Sequence, residues 1–104
     1  VSNNKISLAD LEVDTLNFEV KRAGKPIKLS QKEFALLEYL IRNKGRILTK
    51  DNIISHVWDY DADILYNTVE VYIGYLRNKI DKPFKNAKQL IKTVRGFGYK
   101  ISDD

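Results

Sequence analysis

Residues 67–80 read Asn-Thr-Val-Glu-Val-Tyr-Ile-Gly-Tyr-Leu-Arg-Asn-Lys-Ile, a mix of types that can do more than fill a helix. At 100° per residue, Val69, Ile73, Leu76 and Ile80 fall within about 60° of one another and form one stripe to be buried. The opposite side carries Asn67, Val71, Gly74, Tyr75 and Asn78, with Glu70 and Arg77 on one flank and Thr68, Tyr72 and Lys79 on the other. A face meant only for water carries Lys, Glu and Gln. Glycine inside a helix costs about 1 kcal/mol relative to alanine, and close approach of a second surface is a reason to bear that cost. Amide and small apolar side chains between basic flanks suit a helix in a DNA major groove. There Asn pairs with adenine edges and Val touches a thymine methyl. The competing reading is a protein-docking patch built on Val71, Tyr72 and Tyr75.

A second candidate lies near the end of the chain. Arg95-Gly96-Phe97-Gly98 is a glycine turn between Leu90–Val94 and Tyr99-Lys100-Ile101, both read as strands. A short turn carrying Arg95 can lie across a phosphate backbone with the arginine in a minor groove.

Other residues invite chemistry and do not complete it. Asp59, Asp61 and Asp63 alternate like calcium ligands, but the sixth position, where the sharp turn of a calcium loop needs glycine, is Ile64. His56, the one histidine, sits beside Val57 and Trp58 and reads as structural; Trp58 reads as a core anchor. No Ser/His/Asp set, phosphate-cradling glycine loop or metal cluster is present, so neither an enzyme nor a cofactor is expected. Cysteine is absent, which excludes disulfide scaffolds, thiolate zinc sites and thiol nucleophiles.

Several elements must position these candidates. Leu16, Phe18 and Val20 alternate with Asn17, Glu19 and Lys21, predicting a strand. Ala23-Gly24-Lys25-Pro26 predicts a turn, and Ile27 and Leu29 a returning strand. Ile6, Leu8, Leu11 and Val13 predict two shorter strands, completing a small antiparallel sheet with one wet face. At Ser30 the period changes: Ser30-Gln31-Lys32-Glu33 is a capping box, and Phe34, Leu36, Leu37, Leu40 and Ile41 follow on one broad face. Asn43-Lys44-Gly45 stops that helix, and Thr49 caps a second with Ile53, Ile54, Val57 and Trp58 on one side. Residues 59–65 have no helical period. The third helix is expected from about Tyr66 to Ile80, stopping before Pro83, and a basic loop (Lys82, Lys85, Lys88) precedes the hairpin.

The length of 104 residues is one domain's worth, and no apolar run approaches a membrane span. Beginning at Val1, the chain is expected to be a fragment of something longer. Charge is uneven: residues 1–65 hold 10 Lys/Arg and 10 Asp/Glu, whereas residues 66–104 hold 8 against 4, the whole net +4. A basic third beside the acidic stretch 51–65 points to a polyanion as partner of the basic end.

These residues carry a resemblance. Leu29–Leu37, the Thr49-to-Trp58 helix, Thr68-Val69-Glu70-Val71-Tyr72-Ile73, Leu76-Arg77-Asn78-Lys79-Ile80 and Thr93-Val94-Arg95-Gly96-Phe97-Gly98-Tyr99 resemble the OmpR/PhoB family, the DNA-binding effector domains of two-component response regulators. The likeness covers nearly the whole chain, and the closing Thr-Val-Arg-Gly-x-Gly-Tyr run is its most specific part. It implies an α+β winged helix-turn-helix over residues 1–104: an N-terminal antiparallel four-stranded sheet, three helices and a C-terminal β-hairpin wing. The helix at about 66–80 would take the major groove and the wing at about 94–100 the minor groove. Thr68, Val71, Tyr72, Tyr75 and Arg77 would face the major groove or its phosphates, joined by Asn67, Gly74, Asn78 and Lys79 from that helix. Thr93 would touch a phosphate and Arg95 would enter the minor groove.

Two positions depart from the family pattern. Asn67 stands where arginine is frequent, and Gly74 where serine or arginine is common. The loop Asp59, Tyr60, Asp61, Asp63, Ile64, Leu65 matches the family's segment that often meets RNA polymerase; the plain alternative is a connector whose Ile64 and Leu65 pack inward. The resemblance further implies a cytoplasmic protein with an upstream receiver domain served by a sensor kinase. It would form a dimer on double-stranded DNA at tandem half-sites, without a membrane role. The same domain type also occurs in membrane-tethered activators.

Overall fold

Short amphipathic strands at the N-terminus pair with their neighbours in chain order. A computed structural model describes residues 4–58, 64–65, 67–84 and 88–103. Strands β1 (Lys5–Leu8), β2 (Leu11–Asp14), β3 (Glu19–Arg22) and β4 (Lys25–Ile27) form one antiparallel four-stranded sheet in the order β1-β2-β3-β4. The register sets Ile6, Val13, Val20 and Ile27 in one cross-strand row and Leu8, Leu11, Arg22 and Lys25 in the next. The first row supplies the apolar inner face, with Val13 and Val20 buried.

The strand expected from Leu16 begins only at Glu19. The Asp14 carboxylate accepts the backbone amides of Leu16 (3.0 Å) and Asn17 (3.1 Å), and these bonds turn the chain before it can extend. Phe18 takes a left-handed φ of 56°, and Leu16 and Phe18 are exposed, the Phe18 ring lying edge-on to Phe34. β4 likewise ends at Ile27, leaving Leu29 outside the strand but packed against the core.

Helix α1 (Gln31–Arg42) starts where its cap dictates. Ser30 Oγ accepts the Glu33 amide (3.2 Å), and Glu33 Oε1 accepts the Ser30 amide (2.8 Å). Helix α2 (Lys50–Val57) begins at Thr49 with the same reciprocal arrangement, Asn52 standing in for the usual glutamate. Helix α3 (Thr68–Leu76) continues directly into a widened last turn, Arg77–Asp81, in which the Lys82 amide reaches the Arg77 carbonyl at 2.9 Å. The helix therefore starts later and ends one residue later than its periodicity predicts; Tyr66 lies outside the described residues.

Strand β5 (Ile91–Val94), beginning one residue after Leu90, pairs with β6 (Gly98–Ile101) to make the hairpin. Leu48, just before α2, bridges to Tyr99 through two backbone bonds (2.7 and 2.9 Å). An added Cβ on Gly98 would lie 2.1 Å from the Leu48 carbonyl oxygen, and Gly98 has φ +154°. Glycine is therefore required where the hairpin crosses the segment leading into α2. The core gathers Leu11, Val13 and Val20 from the sheet, Leu36, Leu37, Leu40 and Ile41 from α1, Ile53, Val57 and Trp58 around α2, the α3 stripe, and Ile91 and Ile101.

Candidate nucleic-acid interface

Helix α3 is held by the four side chains its periodicity singles out. Val69, Ile73, Leu76 and Ile80 are all buried in the core, so the opposite side must face outward. Val71 and Tyr75 are 43% and 45% exposed, Asn67 and Asn78 are exposed, and Thr68 is half-buried. A methyl group added at Gly74 would meet nothing within 4 Å. The outward face therefore contains a true gap in side-chain cover, with no aromatic ring folded over it.

The hairpin is fastened beside this face. Arg77 Nε donates to the Ile91 carbonyl (3.3 Å) and its Nη2 to Thr93 Oγ1 (2.5 Å), tying the helix to β5. Between them Gly74, Arg77, Asn78, Lys82, Gln89, Lys92 and Thr93 line an open concavity. Arg95 lies exposed in the hairpin turn next to Phe97, which is 69% exposed. A second concavity runs from the start of α2 (Thr49, Lys50) across Glu70 to Arg95 and Phe97. The first hollow is basic, through Arg77, Lys82 and Lys92, whereas in the second Asp51 and Glu70 balance Lys50 and Arg95. A convex helix face beside a basic hollow matches the shape and charge of a duplex groove and its phosphate wall.

Besides Arg77, three flank residues have partners inside the domain. Lys79 Nζ donates to Glu33 Oε1 (2.7 Å), so its ammonium is held at the N-terminus of α1 rather than beside the outward face. Burial pushes the Glu33 carboxyl up, but the hydrogen bonds from Lys79 and the Ser30 amide outweigh it and hold the group below its ordinary value. Tyr72 is half-buried, its ring edge-on to Trp58 (centroids 5.2 Å apart) and to Tyr75 (5.3 Å). Glu70 is ion-paired with Lys50 of α2. A helical wheel cannot assign the roles that Glu33, Trp58 and Lys50 impose, because these partners lie outside α3.

Sequence reasoning missed Lys50, Lys82, Gln89 and Lys92 as lining residues, and it missed Arg22. The signal for Arg22 was present: it shares the inward side of β3 with Val20, two residues before it. Arg22 is 1% exposed and donates to Asp10 (2.7 Å), Asp81 (2.8 Å) and the carbonyls of Ile80 (2.8 Å) and Lys88 (2.6 Å).

Trp58 is a buried core residue, and the exposed His56 stacks on Tyr39 with ring centroids 4.0 Å apart. Of the acidic loop, Asp59, Tyr60, Asp61 and Asp63 lie outside the described residues; Ile64 is half-buried against the core and Leu65 is 67% exposed. Among the described residues no group of three or more His, Asp or Glu could hold a metal ion, and no helix is long and apolar enough to cross a membrane.

Residues 24–101 match the family described as transcriptional regulatory protein, C terminal. The chain belongs to the OmpR/PhoB effector-domain family. This effector domain is 42% identical over 98 residues to the response regulator MprA of Mycolicibacterium vanbaalenii, an alignment covering 94% of the chain and 42% of MprA. It thus spans less than half the length of that relative. DrrB, an OmpR/PhoB homologue from Thermotoga maritima, superposes with a TM-score of 0.82 at 30% identity, over 95% of this chain and 43% of DrrB. The RstA DNA-binding domain of Klebsiella pneumoniae, solved in complex with the RstA box, gives a TM-score of 0.81 at 30% identity, over 98% of this chain and 100% of RstA's domain.

Proposed function

We propose that this effector domain binds double-stranded DNA sequence-specifically and regulates bacterial transcription as the output half of a two-component response regulator. The observation that carries this reading is the outward face of α3, Val71, Gly74, Tyr75 and Asn78, held beside a hairpin that presents Arg95. The likeness to the RstA domain, solved on its DNA box, supports it. In this reading Asn67, Thr68, Val71, Gly74, Tyr75 and Asn78 meet base edges and the thymine methyl in the major groove. Arg77 and Thr93 meet the flanking phosphates, and Arg95 enters the minor groove. Tyr72 and Lys79 act from behind, through Trp58 and Glu33.

The test is a binding isotherm on duplexes selected from a random pool, repeated across salt concentrations. DNA binding should weaken steeply with salt, and Arg95→Ala should flatten the log–log slope by about one unit. If Arg95 reads a narrow minor groove, its loss also relaxes preference at flanking A·T positions. A salt-insensitive interaction would instead favour a protein-docking patch at Val71 and Tyr75.

The response-regulator name of MprA supports the wider reading. A receiver domain precedes the effector in the intact cytoplasmic protein, a sensor kinase phosphorylates it, and two effectors pair on tandem half-sites. The acidic loop before α3 is repelled by phosphates and is left to a protein partner, RNA polymerase. Exposed Leu65 gives it apolar surface.

A further inference from the structure

Helix α3 and the hairpin are separate pieces of chain, and two DNA grooves can be read together only if the angle between them is fixed. The core fixes the helix, since its stripe is buried against several elements. The start of the hairpin is fixed differently. The Asp81 carboxylate, in the widened turn that ends α3, accepts the amides of Leu90 and Ile91 at 3.1 Å each, one on each oxygen. Arg22 of the sheet closes the arrangement by donating to the same carboxylate and to the carbonyls of Ile80 and Lys88. Both side chains are almost wholly buried, 1% and 0% exposed. Replacing such a pair by apolar residues is frequently neutral or stabilising, so stability alone does not account for an arginine and an aspartate here. Their hydrogen bonds join three things at one point: the end of α3, the entry to β5 and the N-terminal sheet.

We propose that Asp81 and Arg22 are positioning residues for DNA recognition: their buried pair sets the angle of the wing relative to helix α3, so that Arg95 reaches its groove while α3 occupies its own. The proposal rests on the DNA-binding reading above. The widened turn fits this role, because a departure from regular helix is where a helix end can be re-aimed. Asparagine at 81 would keep one acceptor oxygen and set an NH2 against the other amide, leaving that amide unpaired and the hairpin entry loose. The apolar docking of α3 would be untouched.

The test is a double-mutant cycle on a selected operator duplex, comparing Arg95→Ala in the wild-type and Asp81→Asn backgrounds. Val71→Ala serves as the helix control. In the wild-type domain, loss of Arg95 should weaken binding about tenfold. In the Asp81→Asn background the same change should cost less than about threefold, because the arginine is already misplaced, while Val71→Ala costs the same in both. If Asp81→Asn does not fold, Asp10→Asn replaces it. Asp10 holds Arg22 from a side chain that is 39% exposed, and its loss loosens the arginine without breaking the buried pair. That variant should give a smaller coupling of the same sign. Equal effects of Arg95→Ala in wild-type and folded variant backgrounds would overturn the proposal and leave the DNA-binding reading standing. No effect of Arg95→Ala in the wild-type domain would refute the wing contact itself, and with it any need to position it.

Discussion

Gly74 separates stability from recognition, because the structure leaves its surroundings empty. A Cβ built there meets no heavy atom within 4 Å, and neither Tyr72 nor Tyr75 covers the position. Gly74→Ala should therefore collect nearly the full helix-propensity difference, about 1 kcal/mol. For a domain of this size that raises the melting temperature by about 4–8 °C. Leucine is almost as good a helix former as alanine, so Gly74→Leu should fold at least as stably as the wild type. On DNA the order reverses. A methyl fits beside Val71 and Tyr75 with little effect, whereas an isobutyl group at the centre of a face seated in the groove must displace the duplex. The expected cost is at least about tenfold in affinity, or 1.4 kcal/mol. Thermal melts and anisotropy titrations on the three proteins measure both quantities. If Gly74→Leu is stable and binds the selected operator as tightly as glycine does, this face of α3 does not lie in the groove.

Gly98→Ala should have the opposite character. Its methyl would strike the Leu48 carbonyl at 2.1 Å, so the hairpin must separate from the segment before α2, a loss of about 2 kcal/mol or more in a denaturant melt. The Glu33 carboxyl, depressed in the folded state, contributes stability that is complete above the ordinary glutamate range and is lost as pH falls through its lowered value. Glu33→Gln should flatten that acid limb in melts run across pH. Substituting Asp61 and Asp63 by alanine should leave operator affinity unchanged and alter transcription in a reconstituted assay with RNA polymerase. A large drop in operator affinity would show that the loop serves DNA binding instead.

The local elements were legible in the sequence wherever a short-range rule governs them. The Ser30–Glu33 box starts α1, Thr49 starts α2, and the 3.6-residue period of Val69, Ile73, Leu76 and Ile80 names the buried stripe of α3 and hence its outward face. Capping and periodicity depend on neighbours within a few residues, so the chain carries that information by itself. The alternation of Leu16, Phe18 and Val20 misled because a side chain two residues away, Asp14, captured the backbone first. The tertiary structure decided what no local rule contains. Lys79 and Tyr72 sit on the flank that the wheel assigns them, yet their tips are claimed by Glu33, 46 residues away, and by Trp58. Arg22 and Asp81 are 59 residues apart, and the pair exists only once the sheet, the end of α3 and the hairpin have met. A long flexible side chain takes its partner from whatever element folds against it. Sequence spacing can therefore place its Cα on a face but not its charge in a site.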